Sequence, residues 1–178
     1  MRIIAGKHRS RKLLTLEGQT TRPTLDQVKE SFFSFAGGYF YDCTVLDGFA
    51  GSGAIGLEFL SRGASHVIFV EKDRQAARIV QQNIHLLSED NQSELKIMPL
   101  ERAIDTFNQS FDIIYLDPPY HYDNIVNLFE KLKKVCKDTT KIFYECDLND
   151  IMVSFDGFEC MIEKTYRRTK ILQFRRKI

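Results

Sequence analysis

Two short stretches and one isolated acid carry residue types from which a transfer reaction could be built: Asp117-Pro-Pro-Tyr120, Asp47-Gly-Phe-Ala-Gly51-Ser-Gly53-Ala-Ile-Gly56, and Glu71. In the first, Pro118 and Pro119 have no N–H to donate and hold an extended or turned backbone, which leaves the Pro118 carbonyl free to accept. With the Asp117 carboxylate it could grip both hydrogens of a planar exocyclic amine, while Tyr120 stacks on the attached ring. That arrangement aims the nitrogen lone pair at a methyl donor for in-line displacement, so positioning is the main catalytic effect. The same four residues also suit an ordinary strand-ending turn.

The glycine stretch contains G-x-G-x-x-G, a pattern that also serves dinucleotides. In the dinucleotide fingerprint, however, the glycines follow the strand almost directly. Here Asp47 ends the strand and three residues intervene before Gly51. An acid at that point repels a pyrophosphate and attracts a cation. S-adenosylmethionine, with a sulfonium and an ammonium, fits that requirement. Glu71 stands where one carboxylate can accept from two adjacent ribose hydroxyls, although an acid there could equally complement the dipole of a following helix.

These groups need strand ends and helix starts to hold them. From Cys43 onward, β-rich runs at 44–47, 66–71, 94–98, 111–117 and 141–146 alternate with helix-period runs at 54–62, 73–87, 100–108 and 124–136. Such alternation predicts βαβ units and a parallel sheet. Gly63 falls at a helix C-cap and Asp73 at an N-cap. Two further strands, 158–167 and 170–175, have no helix between them and predict an antiparallel hairpin, for seven strands in all. Upstream, Thr24-Leu-Asp-Gln27 is a capping box for a helix with Val28, Phe32 and Phe35 on one face, and residues 2–16 suggest a small hairpin. The expected division is a basic hairpin and capped helix over 1–41, then one compact unit over 42–178. Tyr115 is a core or sheet position.

The chain has 178 residues, 43% of them hydrophobic and 28% charged, which suits one core. It offers neither a run long enough to span a membrane nor a signal-peptide pattern at its start, so a cytoplasmic location is expected. Cys43, Cys136, Cys146 and Cys160 form no C-x-x-C pair and read as reduced core thiols, and the histidines lack metal spacing, so no metal is expected. The net charge of +1 hides a strong asymmetry. Residues 1–16 and 164–178 hold 12 of the 25 bases and no acid, which leaves the middle segment at −11. Clustered cations at both ends suit a polyanion, or they protect solvated edge strands.

Taken together, Arg2-Ile-Ile-Ala-Gly-Lys-His-Arg-Ser-Arg-Lys-Leu13, Thr21-Arg-Pro-Thr24 with Lys29-Glu-Ser-Phe-Phe33, the glycine stretch, Ser61-Arg-Gly-Ala64 and the Asp-Pro-Pro-Tyr tetrad span the chain. In these features it resembles the RsmD-type 16S rRNA guanine-N2 methyltransferases. The resemblance implies a Rossmann-like α/β fold with a seven-stranded, mostly parallel sheet, a C-terminal antiparallel hairpin and a small basic N-terminal extension. It implies S-adenosyl-L-methionine as cofactor, held by Asp47, Phe49, Gly51, Gly53, Glu71 and Lys72. It also implies a guanine amine of small-subunit rRNA, naked or in a ribosomal particle, as target of Asp117, Pro118, Pro119 and Tyr120. Arg2, Lys7, Arg9, Arg11, Lys12 and Arg22 are the expected RNA contacts, with an ion pair to an acid as the other role open to Arg22. His121 reads as an exposed loop residue.

The chain departs from the family pattern in two places. Pro99 stands where the family usually has Asp or Asn, so Glu101 or a backbone group is the candidate for the adenine amine. Tyr166-Arg-Arg-Thr169 replaces the usual Tyr-Gly before Thr and adds two cations to the hairpin turn. Adenine-N6 transfer on DNA, glutamine transfer on protein, and RNA binding without catalysis are the competing readings. Neutralising Arg9, Arg11 and Lys12 together is expected to weaken RNA binding and flatten its salt dependence while leaving cofactor affinity unchanged. Filter binding across a salt series checks this; an unchanged slope returns the segment to the role of a solvated edge.

Overall fold

A computed structural model of the chain describes residues 1–16, 23–119, 122–150, 154–166 and 169–177. Seven strands form a single sheet: β1 (Thr44–Asp47), β2 (His66–Val70), β3 (Ser93–Lys96), β4 (Phe111–Leu116), β5 (Cys136–Asp147), β6 (Phe158–Tyr166) and β7 (Thr169–Arg176). Their spatial order is β3-β2-β1-β4-β5-β7-β6. The first five are parallel, while β7 runs antiparallel to both β5 and β6. The parallel sheet and terminal hairpin expected from the sequence are therefore present. Strand order reverses at β1, which lies between β2 and β4, so a crevice opens beyond the carboxyl ends of β1 and β4.

The helices are α1 (Pro23–Ala36), α2 (Ala54–Ser61), α3 (Arg74–Leu86), α4 (Leu100–Ile104) and α5 (Ile125–Leu132). Period-2 alternation splits the strand residues between two cores. Val45, Val67, Phe69, Ile113, Tyr115 and Phe143 pack with α1, α2 and α3 on one face. Leu46, Ile68, Ile114, Leu116, Ile142 and Leu172 pack with α4 and α5 on the other. Phe32 of α1 is the aromatic hub of the first core, edge-on to Phe33, Phe59 and Phe143 and tilted against Tyr115.

Several boundaries differ from expectation, three of them with a local cause. Helix α1 begins at Pro23, with Thr24 inside it rather than capping it; a proline in the first turn forfeits no helical hydrogen bond. Helix α4 stops at Ile104 instead of running to 108, because both the N–H and the hydroxyl of Thr106 donate to the Ala103 carbonyl (2.9 and 2.8 Å) and close a turn. Strand β5 starts at Cys136 rather than 141. Its polar opening is held by Thr140, whose buried hydroxyl accepts from Lys137 N–H (2.7 Å) and donates to the Phe111 carbonyl (2.6 Å).

The N-terminal segment is a minimal hairpin closed by an Arg2–Lys12 bridge, and it is sewn to the domain by buried polar groups. Glu58, in the middle of α2 and fully buried, accepts from Ile4 N–H (2.8 Å), Ala5 N–H (3.0 Å) and Arg62 Nε (2.8 Å), and pairs with Lys29 Nζ at 3.1 Å. Asn83, also fully buried, accepts from Leu14 N–H (2.8 Å) and donates to the carbonyls of Leu14 (3.0 Å) and Ser52 (2.9 Å). Ile3 and Leu13 then complete the first core. Removing one partner of a buried ion pair strands the other charge. Glu58→Ala is expected to cost about 3–5 kcal/mol in urea denaturation, with Glu58→Gln milder because its amide oxygen still accepts.

Candidate active site

The glycine turn is shaped by two left-handed residues, Gly51 (φ +55°) and Gly53 (φ +78°), the latter opening α2. A Cβ added at Gly51 would meet nothing within 4 Å, so the turn leaves open space where a ligand could lie against the backbone. Glu71, just beyond β2, accepts from Gly51 N–H and Asp73 N–H, both at 2.8 Å. It therefore fixes the turn and the start of α3, and its carboxylate oxygens keep lone pairs for further donors. Asp73 caps α3 as expected, accepting from Gln75 N–H and Ala76 N–H.

Asp47 is 1% exposed, and its Oδ2 accepts from Gly56 N–H at 2.9 Å. Burial pushes its pKa up to about 7, against the opposing pull of the Gly56 hydrogen bond and with a contribution from Glu71. Strand register explains its other neighbours. Asp47 pairs with Tyr115 of β4, and Tyr115 pairs with Phe143 of β5. One pleat further on, Asp117 and Glu145 follow on the same face. Desolvation within the crevice and the Glu145 and Asp47 carboxylates raise Asp117 well above the usual carboxylate range, although solvent reaches it from the open side.

Glu145 is itself raised by burial, despite hydrogen bonds from the Tyr115 hydroxyl and from Thr169. Tyr115 is a core residue as expected, yet its hydroxyl also steadies this acid. Glu145 escaped the sequence reading; the signal available was the one that selected Asp47, Glu71 and Asp117, an acid near the carboxyl end of a parallel strand.

Across the crevice, Phe49 lies edge-on to Tyr122 with ring centroids 5.3 Å apart, and the Tyr122 hydroxyl donates to Glu101. Burial raises the Glu101 pKa, but hydrogen bonds from Tyr122 and Asn124, together with the Lys72 charge, outweigh it and leave the group below its ordinary value. Pro99 occupies the N-cap of α4 and brings Glu101 into that helix's first turn. Phe49, Lys72 and Glu101 thus share one wall, with Tyr122 as a member that the sequence reading missed. Tyr120 and His121 lie outside the described residues, as do Arg22, Arg167 and Arg168. Arg2, Lys7, Arg9, Arg11 and Lys12 are exposed on the hairpin, away from this wall, with Lys7 paired to Glu89 (2.8 Å) and Arg11 donating to the Leu86 carbonyl (3.1 Å). Among the described residues no group of three or more side chains is placed to hold a metal, and no helix is long and apolar enough to cross a membrane.

A doubly wound sheet with a glycine turn and strand-end acids at its reversal point is the framework of the Rossmann-like methyltransferases. The chain belongs to the family described as conserved hypothetical protein 95, whose model matches residues 1–175. The ribosomal RNA small subunit methyltransferase D of Haemophilus influenzae is 35% identical over 184 aligned positions, covering 98% of this chain and 92% of that protein. The Escherichia coli K12 protein of the same name is 33% identical over 141 positions, covering 73% of this chain and 67% of its own length.

Among solved structures, Escherichia coli yhhF superposes with a TM-score of 0.87 at 25% identity, covering 99% of this chain and 98% of that one. Magnesium protoporphyrin IX methyltransferase of Synechocystis PCC 6803, solved with bound S-adenosylmethionine, gives 0.68 at 16% identity over 91% and 87%, a likeness of fold. The family resemblance read from the motifs therefore holds along the chain.

The raised Asp47 carboxyl has a consequence for stability. The folded state keeps a proton that the unfolded state gives up above its ordinary pKa of 3.8, so stability falls as pH rises towards about 7 and then levels off. Asp47→Asn is expected to unfold later than the wild type at pH 8, the gain vanishing near pH 4. Thermal melts of both proteins across that range, without cofactor, check the sign.

Proposed function

We propose that this protein transfers a methyl group from S-adenosylmethionine to the exocyclic N2 amine of a guanine in small-subunit rRNA. The observation that supports this reading most is the placement of Asp47 and Asp117 on one sheet face at the carboxyl ends of adjacent strands. A cation-binding acid and an amine-gripping acid then face the same space. The names of the relatives, which specify small-subunit rRNA, support the substrate class.

The residues fit the cofactor. Gly51 leaves a backbone cradle, Glu71 offers acceptors at its rim, and buried Asp47, raised to about 7 in the free protein, ionises more readily beside a cationic ligand. When bound, S-adenosylmethionine supplies an electrophilic methyl on a sulfonium, whose departure needs no acid. Asp117 and the Pro118 carbonyl accept from the two amine hydrogens and hold the nitrogen in line. The lone pair of that nitrogen is delocalised into the ring, and hydrogen bonds to both protons favour the pyramidal form that reacts. This stabilises the transition state more than the ground state. Once the carbon–nitrogen bond has formed, the nitrogen must lose a proton. In its ionised form Asp117, whose proton affinity is raised by confinement beside Glu145 and Asp47, is a better proton acceptor than an ordinary carboxylate. Tyr120 supplies a ring face for the base.

Single-turnover methylation of hypomethylated small subunits, and of naked rRNA, at saturating cofactor tests this reading. Asp117→Ala is expected to lose transfer while keeping its fold and its affinity for S-adenosylmethionine. Tyr120→Phe should be mild and Tyr120→Ala severe, because stacking needs the ring and not the hydroxyl. Near wild-type transfer by Asp117→Ala would remove the proposed role. Methyl groups appearing on adenine would move the enzyme to another amine.

A further inference from the structure

The Ser61-Arg-Gly-Ala64 segment is among the features that carry the family resemblance, yet it takes no part in the crevice described above. It ends α2, whose other end is the glycine turn eight residues away, or about 12 Å of helix. Here Ser61, Arg62 and Gly63, with the N-terminal hairpin and residues 37–41, enclose a separate groove of about 970 Å³.

The floor of this groove is internally satisfied. The Ser61 carbonyl accepts from Lys7 N–H (2.8 Å) and its hydroxyl oxygen from His8 N–H (3.0 Å). Arg62 donates to the Gly38 carbonyl (3.0 Å), pairs with Glu58 and lies over the Phe33 ring. None of these groups is left to explain what the groove presents outward.

It presents Tyr39 and Tyr41, which are 54% and 71% exposed. Their rings are parallel to within 5°, with centroids 5.8 Å apart. Tyr41 is seated on Gly63: a Cβ there would come within 2.7 Å of the ring, so only glycine admits it. Single exposed aromatics are normal on a protein surface, but a parallel pair seated on a glycine inside a concavity forms a flat stacking surface. Beside it stand Lys7, exposed and paired to Glu89, and Arg9, which is exposed and makes no ion pair among the described residues. Glu30 is the acid on the lining. Flat π faces with adjoining cations match single-stranded nucleic acid, whose bases stack and whose phosphates need charge; an apolar protein segment would need neither.

We propose that this groove is a second RNA-docking site, holding an unpaired stretch of the substrate away from the nucleotide being methylated. A base stacks on the Tyr39–Tyr41 pair, and neighbouring phosphates meet Lys7 and Arg9. The proposal rests on the rRNA reading for the identity of the RNA, but its test does not depend on methyl transfer.

The probe is a labelled single-stranded oligouridylate, followed by fluorescence anisotropy. Tyr39→Leu/Tyr41→Leu is expected to weaken its binding about tenfold, and Tyr39→Phe/Tyr41→Phe to leave it within about twofold, because stacking needs only the rings. Both pairs should keep wild-type affinity for S-adenosylmethionine by calorimetry. On hypomethylated small subunits the leucine pair should raise KM and leave kcat unchanged. Photo-crosslinking of wild-type protein to 4-thiouridine-substituted RNA should label the peptide that carries residues 39–41.

Wild-type oligouridylate affinity in the leucine pair, or crosslinks confined to other peptides, would overturn the proposal. So would a leucine pair that keeps naked RNA but loses assembled particles, since the groove would then dock a protein. Tyrosine-dependent oligouridylate binding in a wild-type protein that methylates no rRNA would leave the groove standing and remove the activity instead.

Discussion

The contact on which the rest of the structure leans is the buried carboxylate of Glu58. A fully desolvated acid survives only if its lone pairs are matched, and here two backbone N–H groups, a guanidinium and an ammonium match them. Those partners belong to three different segments, namely the N-terminal hairpin, α1 and α2 itself. One ionised group therefore sets where the basic hairpin sits and how α1 crosses the sheet. Through α2 it also holds the far end of the glycine turn. Hydrophobic contacts alone would allow these elements to slide; directional hydrogen bonds to one carboxylate do not.

A second constraint comes from the two-residue period of parallel strands. Because Asp47, Tyr115 and Phe143 are in register, the next inward positions on β4 and β5 bring Asp117 and Glu145 together without any dedicated loop. The crevice thus concentrates negative charge at the point where the sheet order reverses. Neighbouring carboxylates in a shielded space resist full ionisation, and this is the condition under which a cationic ligand and an amine donor both gain from entering. The hydroxyl of Tyr115 and the Thr169 side chain offset part of that load at Glu145.

Most of the sheet could be read from the chain because apolar β-runs and helix-period runs alternate with few interruptions. Asp117 was legible because two prolines mark the end of its strand, and Asp47 because glycines follow it at a fixed interval. Glu58 was not legible: an acid in a short helix ordinarily reads as solvated, and only the arrival of Ile4, Ala5 and Lys29 from distant sequence makes it internal. The first turn of β5 was hidden for a similar reason, since Lys137-Asp-Thr-Thr140 has no apolar alternation and is held by the Thr140 hydroxyl. Tyr122 joined the crevice wall through contacts with Phe49 and Glu101 that lie far apart in sequence.

The docking of the hairpin also orders events in time. Its anchors, Glu58, Ser61, Asn83 and Glu89, lie 53 to 82 residues downstream of the groups they hold. On a ribosome the basic segment emerges before α2 and α3, so its anchors do not yet exist when it leaves. Closing loops of that length before the sheet has formed gains too little to offset the lost chain entropy. The hairpin, although it precedes its anchors in the chain, is therefore among the last parts to become ordered, and until then a strongly cationic segment is tethered to a growing acidic domain. Asn83, which grips Leu14 and Ser52 together, makes the locking of that segment and the setting of the glycine turn one event.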